Sequence, residues 1–266
     1  MIKKSDDYLS VQKAIEILMA FTPHGGEMGT IEISRKLDLN KSTVSRILGV
    51  LANHNLLQHS PGSKKYMLGE GAAAIGRAVG RSLSARLTDI AQPYLNRLRD
   101  TVKESVSLEV LNGDAVAVVA EAPGPKAIRV AFNIGDKTPC HVSSGAKAIL
   151  AFSSKEMVDY YISGKLSRYT EHTITTPVKI KKQFKEIAKE GVAFDRQEYD
   201  LDIYSIGAPI FNNVRKPVAA ISVCSIASRM TPGRKTEIVS QIKATASEIS
   251  ERLFYKNQEN EKGDNG

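Results

Sequence analysis

The stretch LNKSTVSRILGVLANHNLL, residues 39–57, constrains the fold more than any other part of the chain. Its apolar residues recur at intervals of three and four, the spacing of a single buried helix face: Val44, Ile47, Leu48 and Leu51. Asn40, a residue type that favours the N-cap, precedes the first turn. Because one face is committed to a core, the other residues must point away from it, among them Lys41, Ser42, Ser45, Arg46 and Gly49.

Two shorter helical patterns precede this helix, and a hairpin pattern follows it. The first helix is predicted from Ser10 and ends near Pro23, and the second follows Gly29. Residues 56–60 and 64–68 favour two short strands, because a Pro-Gly-Ser turn separates them. Three helices followed by a hairpin predict a winged helix-turn-helix, which we place in residues 1–76.

The rest of the chain mixes helical and strand patterns, which predicts an α+β domain with an antiparallel sheet flanked by helices. We assign residues 77–256 to this domain, with a linker helix over about 69–82 and a disordered polar tail at 257–266. The strands are expected at 106–112, 115–122, 127–133, 205–211 and 217–225. The helices are expected at 144–152, 155–163, 180–190 and 232–254.

The outward side chains of the third predicted helix carry the chemistry of DNA recognition. Such a helix fits the major groove, where the guanidinium of Arg46 matches the O6 and N7 atoms of guanine. Lys41, Ser42, Thr43 and Ser45 suit contacts to phosphates. Three further basic residues come from the preceding helix and the hairpin tip: Arg35, Lys64 and Lys65. A formal net charge of +8 and a pI near 9.3 agree with a polyanionic partner.

Other functions remain open on these residues. A polar helix face can simply be solvated, and a winged helix can also bind a protein or accompany an enzyme. The sequence does not favour catalysis, since Cys140 and His141 are adjacent and neighbouring side chains of an extended segment point apart. The five histidines lack metal-ligand spacing, and no cofactor motif is present, so neither a metal nor a cofactor is expected.

The two cysteines, Cys140 and Cys224, form no CxxC pair and suggest no disulfide framework. The N-terminal residues lack the apolar stretch of a signal peptide, and no apolar run reaches the length of a membrane span. We therefore expect a cytoplasmic protein without membrane association.

Several motifs resemble those of the IclR-type bacterial transcriptional regulators. SVQKAIEIL, EISRKLDLNKSTVSRILGVL and KKYMLGEGAAAIG are similar to the DNA-binding domain of that family. TPCHVSSGAKAILA, GVAFDRQE and APIFNNVRKPVAAISVCS follow in the order of its effector domain. The resemblance covers most of the chain and involves independent motifs in two domains.

The resemblance implies a winged helix-turn-helix, a linker helix and a GAF-like ligand-binding domain, in homodimers that often pair into tetramers on operator DNA. It also implies a small effector, typically an organic acid or a related metabolite. The implied ligand-binding residues are Ser144, Gly145, Ala146, Asp195, Ser205, Ser222, Cys224 and Val130. The resemblance also implies that the backbone amides of residues 144–146, at the start of a helix, bind an anion. Asp202 departs from the family pattern and would add a carboxylate if it faced the pocket.

Overall fold

The structure, a computed structural model, describes residues 6–22 and 26–263, with side chains described for residues 10–22, 26–76 and 85–253. The chain divides into two compact units between residues 83 and 84, later than the boundary predicted after residue 76. The predicted α+β class is confirmed, with helices and a hairpin first and an antiparallel sheet with helices after them.

The first unit is a winged helix-turn-helix. Its helices are α1 (Asp6–Met19), α2 (Thr30–Leu37) and α3 (Lys41–Asn53), and its wing is the antiparallel pair β1 (Leu57–His59) and β2 (Tyr66–Leu68). The four apolar residues of α3 predicted to face inward are buried, together with Ile17, Phe21, Ile33 and Leu57. The predicted stop of the first helix at Pro23 lies outside the described residues.

The turn between α2 and α3 fixes where α3 begins. Asp38 adopts the left-handed conformation, and Ser34 bonds to both backbone groups of Leu39: its carbonyl accepts from the amide at 3.0 Å and its hydroxyl donates to the carbonyl at 2.6 Å. Asn40 occupies the predicted N-cap position, but its side chain accepts no capping bond. The direction of α3 therefore depends on this turn and on the buried apolar face, not on the side chain of Asn40.

Helix α4 (Glu70–Val102) is continuous, so the predicted linker helix over 69–82 is only its first part. Pro93 lies inside the helix, where it removes one backbone hydrogen bond. The turns on both sides are held by buried residues of the second unit's core: Leu87, Ala91, Leu95 and Leu98. The helix continues through residue 77, so the predicted domain boundary does not coincide with a helix end.

The second unit contains a six-stranded antiparallel sheet in the order β5-β4-β3-β8-β7-β6. Its strands are β3 (Ser105–Asn112), β4 (Ala115–Ala122), β5 (Lys137–Pro139), β6 (Ala193–Arg196), β7 (Ile203–Phe211) and β8 (Pro217–Ile226). Its helices after α4 are α5 (Ser144–Leu150), α6 (Lys155–Ile162), α7 (Pro177–Glu190) and α8 (Pro232–Gly263).

Two predictions for this unit are wrong. Residues 127–133 form a loop and not a strand, because the carbonyl of Val130 accepts from the hydroxyl of Ser105 at 2.5 Å and that of Ile128 from Arg229 at 3.0 Å. Residues 257–263, predicted as disordered, continue α8, while residues 264–266 lie outside the described residues. The edge strands β5 and β6 were not predicted.

The two faces of the sheet differ in chemistry. On one face, apolar residues such as Val106, Leu108 and Ile221 pack with α4 and α8. Because side chains alternate along a strand, the other face carries Ser107, Glu109 and further polar residues beneath α5. Polar groups on a sheet face that a helix covers need hydrogen-bond partners. No helix among the described residues is both long enough and apolar enough to cross a membrane.

Gly69 precedes α4 and allows its start to lie against the end of α3. A Cβ atom at this position would lie 2.3 Å from the carbonyl oxygen of Asn55. We therefore expect Gly69→Ala to lower the free energy of unfolding of the first unit by about 1–3 kcal/mol, measured by amide hydrogen exchange.

The matched control is Gly49→Ala in α3, where the added Cβ would meet no atom within 4 Å. This change should stabilise the unit by about 0.5–1 kcal/mol, because alanine has the higher helix propensity. Equal effects of the two substitutions would contradict the close approach at Gly69.

Candidate DNA-binding surface and ligand cavity

The first two turns of α3 present their polar side chains to solvent. Lys41, Ser42, Ser45 and Arg46 are exposed, whereas Thr43 is half-buried. Within the described part of the chain, Arg46 makes no ion pair and no side-chain hydrogen bond. Its guanidinium group is therefore available to contact a nucleic acid base, in agreement with the role predicted from the sequence.

The remaining predicted basic residues surround a depression between α2 and the wing. This depression has a volume of about 740 Å³, and Arg35, Lys64 and Lys65 contribute to its lining. Lys65 lies 3.8 Å from Glu32, and both side chains are about half exposed, so this ion pair is weak. Two separate elements thus bring cations to one concave surface beside the start of α2.

A cavity of about 340 Å³ lies on the α5 side of the sheet in the second unit. Five of the eight residues predicted to bind a ligand line it: Val130, Ser144, Asp195, Ser205 and Cys224. Ser222 is fully buried behind them, with its hydroxyl 3.4 Å from that of Ser144. The hydroxyl of Ser205 donates to the same Ser144 at 2.8 Å, which links β7 to the start of α5.

One backbone amide of the predicted anion site at the start of α5 has a partner within the protein. The amide of Ala146 donates to the hydroxyl of Ser143 at 3.1 Å, and Ala146 is fully buried. Gly145 faces a carboxylate of the protein itself, since a Cβ atom there would lie 2.3 Å from Oε2 of Glu109. The amide of Ala146 therefore already has a partner within the protein, and the assignment of residues 144–146 to a ligand anion stays a prediction.

Glu109 is the residue of this site that the sequence analysis missed. It projects from β3 and lines the cavity, and its two oxygens accept from Ser107 at 2.8 Å and from Ser143 at 3.0 Å. Burial raises the pKa of Glu109, while the hydroxyls of Ser107, Ser222 and Ser143 act in the opposite direction. The alternation of polar and apolar residues in SVSLEVLN was the available signal.

Asp195 is the second buried acid of the cavity. Its Oδ1 accepts from the amide of Glu198 at 2.7 Å. Burial raises the pKa of Asp195 to about 7, against the attraction of the nearby Lys147. Asp202, in contrast, is exposed, so the extra carboxylate anticipated from the sequence does not face the cavity.

A buried ion pair lies next to Asp195. Nζ of Lys147, which is fully buried in α5, donates to Oε1 of Glu198 at 2.7 Å. Burial lowers the pKa of Lys147, and the adjacent carboxylate of Glu198 opposes this shift.

Cys140 and His141 point to different partners. The thiol of Cys140 contacts the carbonyl of Asp114 at 3.6 Å, and burial raises its pKa to about 12. Nε2 of His141 lies 2.9 Å from the carbonyl of Ser167. The two side chains therefore do not form a nucleophile and base pair.

Comparison with known proteins identifies relatives of both units. Residues 10–61 match the model of the IclR helix-turn-helix domain, and residues 82–251 match the model described as bacterial transcriptional regulator IclR C-terminal. The chain is 28% identical to the HTH-type transcriptional repressor AllR of Klebsiella pneumoniae, over 94% of this chain and 91% of that protein. It is also 28% identical to the transcriptional repressor IclR of Escherichia coli, over 91% and 88%.

A solved structure agrees with these matches. The crystal structure of the Thermotoga maritima IclR covers 92% of this chain and 98% of its own, with a TM-score of 0.62 and 27% identity. The likeness thus extends across both units and is not confined to the helix-turn-helix.

The raised pKa of Asp195 predicts a specific pH dependence of stability. The folded state binds the proton of Asp195 more tightly than the unfolded state does. The contribution of this carboxyl group to the free energy of unfolding is therefore complete below about pH 4 and declines as the pH rises through about 7. Asp195→Asn has no proton to lose, so its free energy of unfolding should decrease less over this range than that of the wild type.

Denaturant unfolding at several pH values measures this difference. Asp136→Asn is the control, because Asp136 lines the same cavity but is exposed. Parallel pH profiles for the wild type and Asp195→Asn would show that Asp195 titrates no differently in the folded and unfolded chains.

Proposed function

The chain belongs to the IclR family of bacterial transcriptional regulators, and from this membership we propose that it binds operator DNA with α3 and the wing, under the control of a small molecule in the ligand cavity. The observation that carries the DNA-binding part is the free, exposed guanidinium of Arg46 on a helix whose opposite face is buried. It acts in the cytoplasm, where its operators are.

Each predicted contact has a separate role in this proposal. Arg46 reads a base edge in the major groove, because its fork of donors fits guanine O6 and N7. Lys41, Ser42, Thr43 and Ser45 position α3 on the phosphates, and Arg35, Lys64 and Lys65 bind the flanking backbone. Phosphate contacts supply affinity without sequence information, whereas Arg46 supplies discrimination.

A homodimer completes the DNA-binding unit, because one short helix reads few base pairs. Two recognition helices about 34 Å apart would read half-sites one helical turn apart. Helix α1 supports this arrangement with an exposed apolar stripe at helical spacing: Val11, Ile15 and Met19 are 60%, 57% and 57% exposed. Such a stripe is costly in water and fits the same stripe of a second copy. Pairing of dimers into tetramers belongs to the same proposal.

The ligand cavity provides the regulatory part. Val130, Ser144, Asp195, Ser205 and Cys224 line it, and Ser222 lies behind Ser144. A ligand that binds the DNA-competent and DNA-incompetent states unequally shifts their populations. A coupling of about 1–3 kcal/mol would change operator affinity between roughly fivefold and 150-fold.

DNA selection followed by titration tests the assignment of Arg46. The wild type first selects preferred duplexes from a random library. On these duplexes, Arg46→Ala should discriminate between bases at one position less strongly than the wild type, by about 1–3 kcal/mol, because one bidentate contact is removed. Lys64→Ala should instead weaken all duplexes alike and reduce the slope of log K against log salt by about 1.

Arg168→Ala, which removes an exposed arginine of the second unit, is the control and should leave both quantities unchanged. If Arg46→Ala retained the wild-type preference, a role of the winged helix in binding a protein would be the better explanation.

The assembly state tests the role of α1. Ile15→Glu places a charge within the apolar stripe and should shift the chain from dimer toward monomer in sedimentation equilibrium. Gln12→Glu adds the same charge at an exposed α1 position outside the stripe and should leave the assembly unchanged. A fully dimeric Ile15→Glu variant would assign the dimer contact to another surface.

A further inference from the structure

The buried acids of the second unit fall into two groups. Four acidic side chains among the described residues are buried: Glu104, Glu109, Asp195 and Glu198. Glu198 pairs with Lys147, and Glu104 pairs with Lys126 and with Arg229 at 3.6 Å. Glu109 and Asp195 have no cation within ion-pair distance in the described part of the chain. These two acids are the ones that line the ligand cavity.

This difference is energetically significant, because a buried carboxylate without a counter-charge is costly. Away from the cavity, the protein satisfies its buried acids with its own lysine and arginine side chains. At the cavity the acids accept from hydroxyl groups and backbone amides instead: Glu109 from Ser107 and Ser143, and Asp195 from the amides of Glu198 and Tyr199. Neither acid has a cation of its own, because Lys147, which attracts Asp195, is already paired with Glu198.

The other residues of the cavity lining agree with a cation. The charged residues of the lining besides these two acids are Asp136 and Lys137, both exposed, so the acids outnumber the bases. Phe132 and Tyr199 add aromatic rings, whose faces attract cations. Moreover, Glu109 lies against Gly145 and accepts from Ser143, the N-cap of α5, so the start of this helix already faces a carboxylate of the protein.

We propose that the effector of this chain is a small organic cation, an amine whose ammonium group pairs with Glu109 and Asp195. The inference rests on the proposed function, in which this cavity binds the effector, and it specifies the charge of that effector. It replaces the organic acid that the family resemblance implies. Charge-assisted hydrogen bonds from the ammonium group to the two carboxylates provide both affinity and selectivity.

Calorimetry with probes that differ only in charge tests this proposal on the full chain. One set is benzylamine, benzyl alcohol and benzoate; the second is ethanolamine, ethylene glycol and glycolate. In each set that binds, the amine should bind about tenfold or more tightly than the carboxylate, the ratio expected from one charge-assisted hydrogen bond. Glu109→Gln keeps the shape and removes the charge, so the preference should disappear in this variant.

Glu186→Gln is the matched control, because it removes an exposed acid of α7 that does not line the cavity, and it should retain the preference. Equal binding of amine and carboxylate by the wild type, or failure of both amines to bind, would overturn the proposal. A preference for amines that survives in Glu109→Gln would overturn the role of Glu109.

Failure of this inference is distinguishable from failure of the proposed function. If a carboxylate binds best, and Ser205→Phe abolishes its binding by filling the cavity, the effector site stands and only the charge of the effector is wrong. If Ser205→Phe leaves the affinity for the probes unchanged, the cavity is not the effector site. DNA titration of the same variants reports independently on the DNA-binding surface.

Discussion

Burial of the apolar face of α3 is the constraint on which the DNA-binding surface depends. Val44 and Leu48 are completely buried in the core of the first unit, with Ile47 and Leu51 beside them. Rotating the helix to hide Arg46 would expose these side chains, at about 1.5–3 kcal/mol for each large apolar residue. The outward position of the polar residues is therefore as stable as the core itself, although none of them contributes to that core.

Helix α3, the wing and the β3–β4 hairpin could be predicted because the sequence patterns that define them are local. The spacing within α3 defines both its buried face and its exposed one, and the turn at Pro61 and Gly62 separates the two wing strands. In the second unit, Gly113 and Asp114 separate the strands predicted at 106–112 and 115–122, and the structure pairs these segments as the β3–β4 hairpin. Each of these inferences needs only residues close in sequence.

The chemistry of the ligand cavity could not be predicted in the same way, because it depends on pairing between distant residues. Glu109 and Ser143 come from different elements, as do Lys147 and Glu198. The loop at 127–133 has the composition of a strand, yet Ser105 and Arg229 bind its carbonyl groups. Two residues carried a local signal: Glu109 in the alternating stretch SVSLEVLN, and Lys147, which small and apolar residues surround in SGAKAIL.

The same long-range contacts connect the cavity lining to buried residues in the interior of the second unit. Asp195 lines the cavity and accepts from the amide of Glu198, whose carboxylate pairs with Lys147 in the middle of α5. Among the described residues, Oε2 of Glu198 has no hydrogen-bond partner, so this pair is incompletely satisfied and sensitive to nearby charge. One charge-assisted hydrogen bond is worth about 1.5–3 kcal/mol, comparable to a typical coupling free energy between two sites. A single charge-assisted contact made at Asp195 is therefore comparable in free energy to such a coupling.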